Sequence, residues 1–327
     1  MEPAIQAGAQ PECNGDRVID IEVSEVGPRD GLQSIAPIMQ TSDKKAWIKA
    51  LADAGVPEIE VGSFVPAKIL PQLADTAELV EFARSIPQLA VAVLVPNLRG
   101  AQNALRVKPH KISIPLSLSE THSLKNLNRS HAQVLAEVSE IRNAIDAMAP
   151  ADRPRFEGSL STAFGCTLEG EVPEARVYEM AEKLMQAGCD ELGLSDTTGF
   201  ASPVQIRTYV KGIHALLGPE SLTGIHLHNT RGQGFANVMA ALDVGLTTVD
   251  SSMGGIGGCP FAPGASGNIV TEDLVFLLES MGLKTGINFE KLFSARRLLQ
   301  AALPDVELYG FTPDAGLPKG FRPATAQ

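Results

Sequence analysis

The chain has 327 residues, with 27 Lys and Arg against 38 Asp and Glu, so its formal net charge is −11. That length is too great for a disulfide-stapled miniprotein, and a 44 % hydrophobic composition excludes a mostly disordered chain. The acidic balance argues against a nucleic-acid partner, which wants a basic face.

From the N-terminus, Met1 to Gly15 has neither a basic start followed by an apolar core nor an Arg-rich amphipathic pattern, so no targeting segment is expected there. From residue 18 onward, apolar β-branched runs alternate with helical patterns. The strands expected are Val18–Glu25, Glu58–Val61, Ala90–Val95, Lys111–Leu116, Arg155–Thr162, Glu191–Leu194, Leu222–His228 and Thr247–Ser251. Between and after them fall helices near Asp43–Ala54, Asp75–Ser85, Leu98–Val107, Ser130–Ala147, Pro173–Ala187, Pro203–Leu217, Gln233–Asp243 and Thr271–Met281. Ser42 or Asp43 suits a cap for the first helix, and Pro173 and Pro203 suit first-turn positions. Gly55, Gly188, Gly245 and Gly282 follow helix ends, where a left-handed residue is wanted.

Alternation of this kind gives right-handed βαβ crossovers and a buried parallel sheet. Eight units in about 265 residues predict an α/β fold, a (β/α)₈ TIM barrel. An open doubly wound sheet is the alternative, weakened because no GxGxxG follows the first strand. The expected division is an irregular segment over 1–17, a barrel over 18–303 that includes an extra helix near Phe289–Ala302, and an irregular tail over 304–327. No run is long and apolar enough to cross a membrane. Cys13, Cys166, Cys189 and Cys259 show no CxxC spacing, which favours reduced thiols and a cytoplasmic location.

Chemistry in such a barrel collects at the C-terminal ends of the strands. The first strand runs into Glu25-Val-Gly-Pro-Arg29-Asp30-Gly-Leu-Gln33, where Arg29 beside Asp30 can hold the acid ionised and face an oxyanion. A surface ion pair in a turn is the plain alternative. His226 and His228, two apart on the seventh strand, point to one face and offer two imidazoles to a divalent metal; core-edge histidines bonded to backbone are the alternative. Asp30 adds an oxygen ligand, and Asn268 an amide oxygen, which suits Mg²⁺ or Mn²⁺ better than structural zinc. Six glycines between Met253 and Gly267 make a loop suited to a mobile lid, and it carries Cys259, the thiol best placed to react. Glu60 and Asp196 are acids at strand mouths, placed to orient Arg29 or contact substrate, with a capping role as the alternative for Asp196. Asp20 and Glu22 read as structural; His110, His122, His131 and His214 have no paired spacing, and His122 falls in a loop after the fourth strand.

These segments resemble the hydroxymethylglutaryl-CoA lyase family, a branch of the divalent-metal barrel lyases and aldolases. The resemblance is carried by Glu25–Gln33 (EVGPRDGLQ), Ile59–Lys68 (IEVGSFVPAK), Ser119–Asn128 (SETHSLKNLN), His226–Asn237 (HLHNTRGQGFAN) and Val249–Asp273 (VDSSMGGIGGCPFAPGASGNIVTED). It implies metal-dependent C–C cleavage of a 3-hydroxyacyl thioester and a place in leucine degradation, with Asp30, His226, His228 and Asn268 as ligands of Mg²⁺ or Mn²⁺. It further implies that Arg29 stabilises the departing enolate and that Cys259 acts as acid/base. Gln33, Ser63 and Asn126 match positions near substrate, and Lys125 is placed to meet CoA phosphates. An acyl-CoA substrate and a homodimer follow from the resemblance. Three departures stand out: Gln33-Ser34-Ile35 in place of Gln-Asn-Glu, Asn229 in place of Asp after the His pair, and Thr167-Leu168 in place of Pro-Tyr. They leave open another branched substrate of the same reaction, such as citramalyl-CoA. A pyruvate-type aldolase or acyl-CoA condensing enzyme is a more distant rival, and a non-enzymatic barrel would be expected to have lost one of the site residues.

Overall fold

The computed structural model describes residues 19–257 and 267–326. Its eight parallel strands close into a barrel in simple sequence order. They are β1 (Glu22–Glu25), β2 (Glu58–Ser63), β3 (Ala90–Leu94), β4 (Lys111–Ser117), β5 (Arg155–Ser161), β6 (Glu191–Asp196), β7 (Leu222–Leu227) and β8 (Thr248–Ser251). Closure is made by β1 pairing with β8, Ser24 opposite Asp250. The helices are α1 (Thr41–Ala54), α2 (Thr76–Arg84), α3 (Leu98–Val107), α4 (Glu120–Leu127), α5 (His131–Asp146), α6 (Glu174–Ala187), α7 (Pro203–Leu217), α8 (Gly234–Leu242), α9 (Thr271–Ser280), α10 (Phe289–Ala302) and α11 (Phe311–Ala315). All eight expected strands are present, and the barrel is the fold expected from the sequence.

The apolar layer lies between sheet and helices, where Val23, Ile59, Val91, Val93 and Val249 meet Ile48, Leu51, Leu79 and Leu278, all fully buried. Each such side chain contributes roughly 1.5–3 kcal/mol by leaving water. Small glycines and aliphatics suffice because helices must approach the sheet closely. Gly55, Gly188, Gly245 and Gly282 take left-handed φ of 101°, 115°, 91° and 85° at the expected helix ends. Pro203 opens α7 behind a Ser202–Gln205 capping box, whereas Pro173 sits one residue before α6.

Three local expectations are corrected, and the tail gains anchoring points. The first strand begins at Glu22, because Asp20 and Ile21 donate their N–H groups to Lys284 O and so leave the ladder. Neither Ser42 nor Asp43 caps α1, which starts at Thr41, whose hydroxyl is bonded to Asp75 Oδ2 at 2.8 Å. His122 lies in a helix, α4, since the Ser119 hydroxyl accepts its N–H and starts that helix. The chain after residue 303 is tied back to α9 at both ends. Asp273 accepts Phe311 and Thr312 N–H, and Glu279 accepts Thr325 N–H and hydroxyl. No helix of the described residues is long and apolar enough to cross a membrane.

Candidate functional site

Beyond β1 the chain makes one π-helical turn, Gly27–Gly31, which throws Arg29 and Asp30 over the C-terminal mouth of the lumen. Gly27 cannot carry a side chain, since a Cβ there would lie 2.5 Å from Glu25 Oε1. Arg29 is divided between two acids: its Nε donates to Glu60 Oε2 at 2.5 Å and its Nη1 to Asp30 Oδ1 at 2.6 Å. Glu60 projects from the middle of β2, beside the register shift between Glu60 and Gly62. Gln33 also donates to Asp30 Oδ1, at 2.7 Å, and Asn268 Nδ2 donates to Asp30 Oδ2 at 2.7 Å.

The histidines come from β7. His226 is its fifth residue, and His228 follows it, bridged antiparallel to Asn268. Backbone bonds Asn229 N to Gly267 O and Ile269 N to Leu227 O hold that return strand in place. The two imidazole Nε2 atoms are 3.1 Å apart, and Asp30 Oδ2 lies 3.9 Å from His226 Nε2 and 3.7 Å from His228 Nε2. One ligand atom from each of Asp30, His226 and His228 falls within 4.8 Å of the others, an arrangement able to hold a metal ion. Gly257, at φ 110°, closes the group: a Cβ there would come 2.4 Å from Asn268 Nδ2 and 3.1 Å from Asp30 Oδ2.

The electrostatics follow from this wiring. Burial alone would raise the Asp30 carboxyl, but Arg29, the His228 hydrogen bond and the two imidazole charges hold it well below the ordinary range. Glu60 goes the other way. Its burial outweighs Arg29, whose charge is shared with Asp30, and pushes it up to about 7. Burial opposes a proton on His226, yet the bond to Asp250 and the charge of Asp30 raise it.

Asp196 makes the capping bonds of its alternative role. Its Oδ1 accepts Phe200 and Ala201 N–H and shapes the turn after β6, while Oδ2 is buried with no hydrogen-bond partner among the described residues. Burial raises its pKa, partly countered by those backbone bonds and by His228 and His226. Ser63 is buried, and its hydroxyl accepts Val65 N–H. Lys125 is exposed on α4; Asn126 lies on the same helix with its side chain outside the described set, and Cys259 falls outside the described residues altogether. The other histidines serve the scaffold: His110 accepts Val91 N–H, His122 meets the Ser117 hydroxyl, and His131 and His214 bond the carbonyls of Ser117 and Leu222. Asn229 accepts Gly234 N–H through its side-chain oxygen, and it is not one of the three residues whose ligand atoms could hold a metal ion. Sequence reasoning missed Asp250, whose carboxylate lies 3.1 Å from His226 Nδ1. Its only signal is parity: it stands on the lumen side of β8, opposite His226.

The donor set fits a hard or borderline divalent ion. It offers a carboxylate kept ionised, two imidazoles and an amide oxygen, Asn268 Oδ1, that is buried with no hydrogen-bond partner among the described residues. Related proteins are known by sequence and by fold. Hydroxymethylglutaryl-CoA lyase of Bacillus subtilis is 40 % identical over 280 residues, covering 86 % of this chain and 92 % of that one. The mitochondrial hydroxymethylglutaryl-CoA lyase of Gallus gallus is 38 % identical over 283 residues, covering 86 % of this chain and 93 % of that one. The structure of an HMG-CoA lyase from Acinetobacter baumannii, in complex with coenzyme A and 3-methylmalate, superposes with a TM-score of 0.86 at 38 % identity, covering 93 % of this chain and 97 % of that one. The HMGL-like family model matches residues 20–299, from the start of the barrel into α10, and the chain therefore belongs to the HMGL-like family.

Proposed function

We propose that the chain is a divalent-metal-dependent lyase that cleaves 3-hydroxy-3-methylglutaryl-CoA to acetyl-CoA and acetoacetate. The observation that carries this reading is the Arg29 fork onto Asp30 and Glu60 beside two imidazoles at the strand mouths. Close relatives named for that reaction support it.

Asp30, His226, His228 and Asn268 would hold Mg²⁺ or Mn²⁺. When bound there, such an ion would supply Lewis acidity to lower the pKa of the tertiary hydroxyl. Asp196, its pKa raised by burial and its Oδ2 without a hydrogen-bond partner among the described residues, stands as the base that takes the hydroxyl proton. As the O–H electrons form the ketone of acetoacetate, the C–C bond breaks and its pair passes into the thioester as an enolate. Arg29, locked between Glu60 and Asp30, presents its cation to that oxygen without having to reorganise. Cys259, by family resemblance, then delivers a proton to the enolate carbon, completing acetyl-CoA. Gln33 orients Asp30 and faces the substrate. Ser63 and Asn126 belong by family resemblance to the surroundings of the substrate, and Lys125 on α4 meets the CoA phosphates. Leucine degradation, a homodimer and a cytoplasmic location belong to the same reading; the free thiols of buried Cys166 and Cys189 support a reducing compartment.

The deciding experiment offers metal-replete protein hydroxymethylglutaryl-CoA and citramalyl-CoA in parallel and follows acetyl-CoA release. Turnover of the first, lost on chelation and restored by Mn²⁺, is expected. Faster turnover of citramalyl-CoA would transfer the assignment to that substrate, and inactivity on both would end it. Cys259→Ser should retain the metal while losing most turnover.

A further inference from the structure

The two facing imidazoles are held differently. His226 Nδ1 lies 3.1 Å from Asp250 Oδ2, whereas His228 Nδ1 is buried with no hydrogen-bond partner among the described residues. Asp250 reaches that place by register. It stands opposite His226 on one side and Ser24 on the other, and with Thr248 and His226 it lines a lumen cavity of about 270 Å³.

A neutral imidazole carries one N–H, and a carboxylate can only accept. The Asp250 contact therefore puts that hydrogen on Nδ1 and leaves the lone pair on Nε2. Nε2 is the atom that faces the centre, 3.1 Å from His228 Nε2 and 3.9 Å from Asp30 Oδ2. In the opposite tautomer Nε2–H would point into the donor set, and the group would lose a ligand. We propose that Asp250 is a positioning residue, whose carboxylate fixes the tautomer and ring orientation in which His226 Nε2 is free to bind the divalent ion. The inference rests on the metal reading above. It makes the imidazoles inequivalent, His226 set by the barrel and His228 left to be set by the ion.

The test uses the full chain with ¹⁵N-labelled histidines, the His226 signals being those lost in His226→Gln. In metal-free wild type, neutral His226 is expected as the Nδ1–H tautomer; an Nε2–H signature there overturns the proposal before any variant is made. Asp250→Asn replaces an acceptor with a group that can donate. It should move His226 toward Nε2–H and weaken Mn²⁺ binding, read from free Mn²⁺ by EPR, by about 10- to 100-fold. The metal-free unfolding midpoint should stay close to wild type, and Asp250→Glu should recover part of the affinity. Glu157→Gln removes another lumen carboxylate, one paired with Lys111 at 2.9 Å rather than with a histidine. If it weakens Mn²⁺ as much as Asp250→Asn does, net lumen charge is the cause and the proposal falls. Affinity within twofold of wild type in Asp250→Asn also overturns it. Wild type that binds no Mn²⁺ sensitive to Asp30→Ala would instead bring down the metal reading, and this inference with it.

Discussion

At the N-terminal end of the lumen, Lys111 Nζ stands 2.9 Å from Glu157, 3.3 Å from Glu58 and 3.7 Å from Glu191, and Arg155 reaches Glu191 at 2.8 Å. At the C-terminal end, Arg29 is split between Glu60 and Asp30. Both ends bury a cation among acids, yet the cations act differently. An ammonium is a point charge that pools acids around itself, while a guanidinium imposes direction on each partner. On the floor the acids share Lys111 and Arg155, Glu191 Oε1 has no hydrogen-bond partner among the described residues, and burial with mutual repulsion pushes Glu22 and Glu191 up to about 7. At the mouth Asp30 is driven the other way and stays charged, while Asn268 Oδ1 and Asp196 Oδ2 have no hydrogen-bond partner among the described residues. The floor raises the pKa of its acids, whereas the mouth keeps one carboxylate ionised beside two imidazoles.

The largest effect should come from breaking the mouth. Asp30→Asn keeps the shape but removes the charge that Arg29, Gln33 and Asn268 converge upon. Because metal-dependent charge stabilisation is worth several kcal/mol, kcat should fall by about 10³ or more. The unfolding midpoint, set mainly elsewhere, should move little. A variant with wild-type kcat would remove Asp30 from the site.

Breaking the floor should do the reverse. Lys111→Met leaves Glu58, Glu157 and Glu191 without their shared cation, at a cost of about 3 kcal/mol in denaturant unfolding. The kcat per folded molecule should be nearly unchanged. Loss of turnover at intact stability would show that the two ends are not separable.

How far each end was legible in the sequence follows from its wiring. Arg29, Asp30, His226 and His228 sit in two short segments, and the period of a strand puts both histidines on one face. The floor is different. Glu22, Glu58, Lys111, Glu157 and Glu191 come from five strands, β1, β2, β4, β5 and β6, and only barrel closure with its register brings them together. Asp250 escaped notice for the same reason, since its partner is on the neighbouring strand, 24 residues away. The helix α4 was hidden by its length of eight residues and its polar run, and only the Ser119 cap marks it.

Glu25 gives a smaller, pH-dependent effect. It is fully buried behind the mouth, accepting Gly27 and Met253 N–H and the Thr271 hydroxyl. Burial outweighs those bonds and pushes its pKa up to about 8 from 4.5. Below about 4.5 both folded and unfolded chains hold the proton; between 4.5 and 8 only the folded chain does. Its contribution to stability is therefore full at low pH and declines as pH rises through that window. Glu25→Gln keeps the shape and should flatten this part of the profile, measured as denaturant midpoints at pH 5 and pH 8. A variant with the wild-type slope would place the titrating group among the floor acids instead.

The smallest effect separates the ends by substrate rather than by stability. Lys125 is exposed on α4 beyond the β4 mouth, where a single solvated cation interacts with a phosphate by about 0.2–1 kcal/mol. Lys125→Ala should therefore raise KM for the acyl-CoA by no more than roughly fivefold and leave kcat alone. Arg155 is its counterpart on the floor, also exposed, at 54 %, though paired with Glu191 at 2.8 Å. Arg155→Ala should leave KM unchanged, because a CoA chain entering the mouth never passes that end of the lumen. Equal shifts in KM for the two variants would mean that the net charge of the chain, rather than the place of Lys125, governs the encounter with a polyanionic substrate, and added salt would then erase both shifts together.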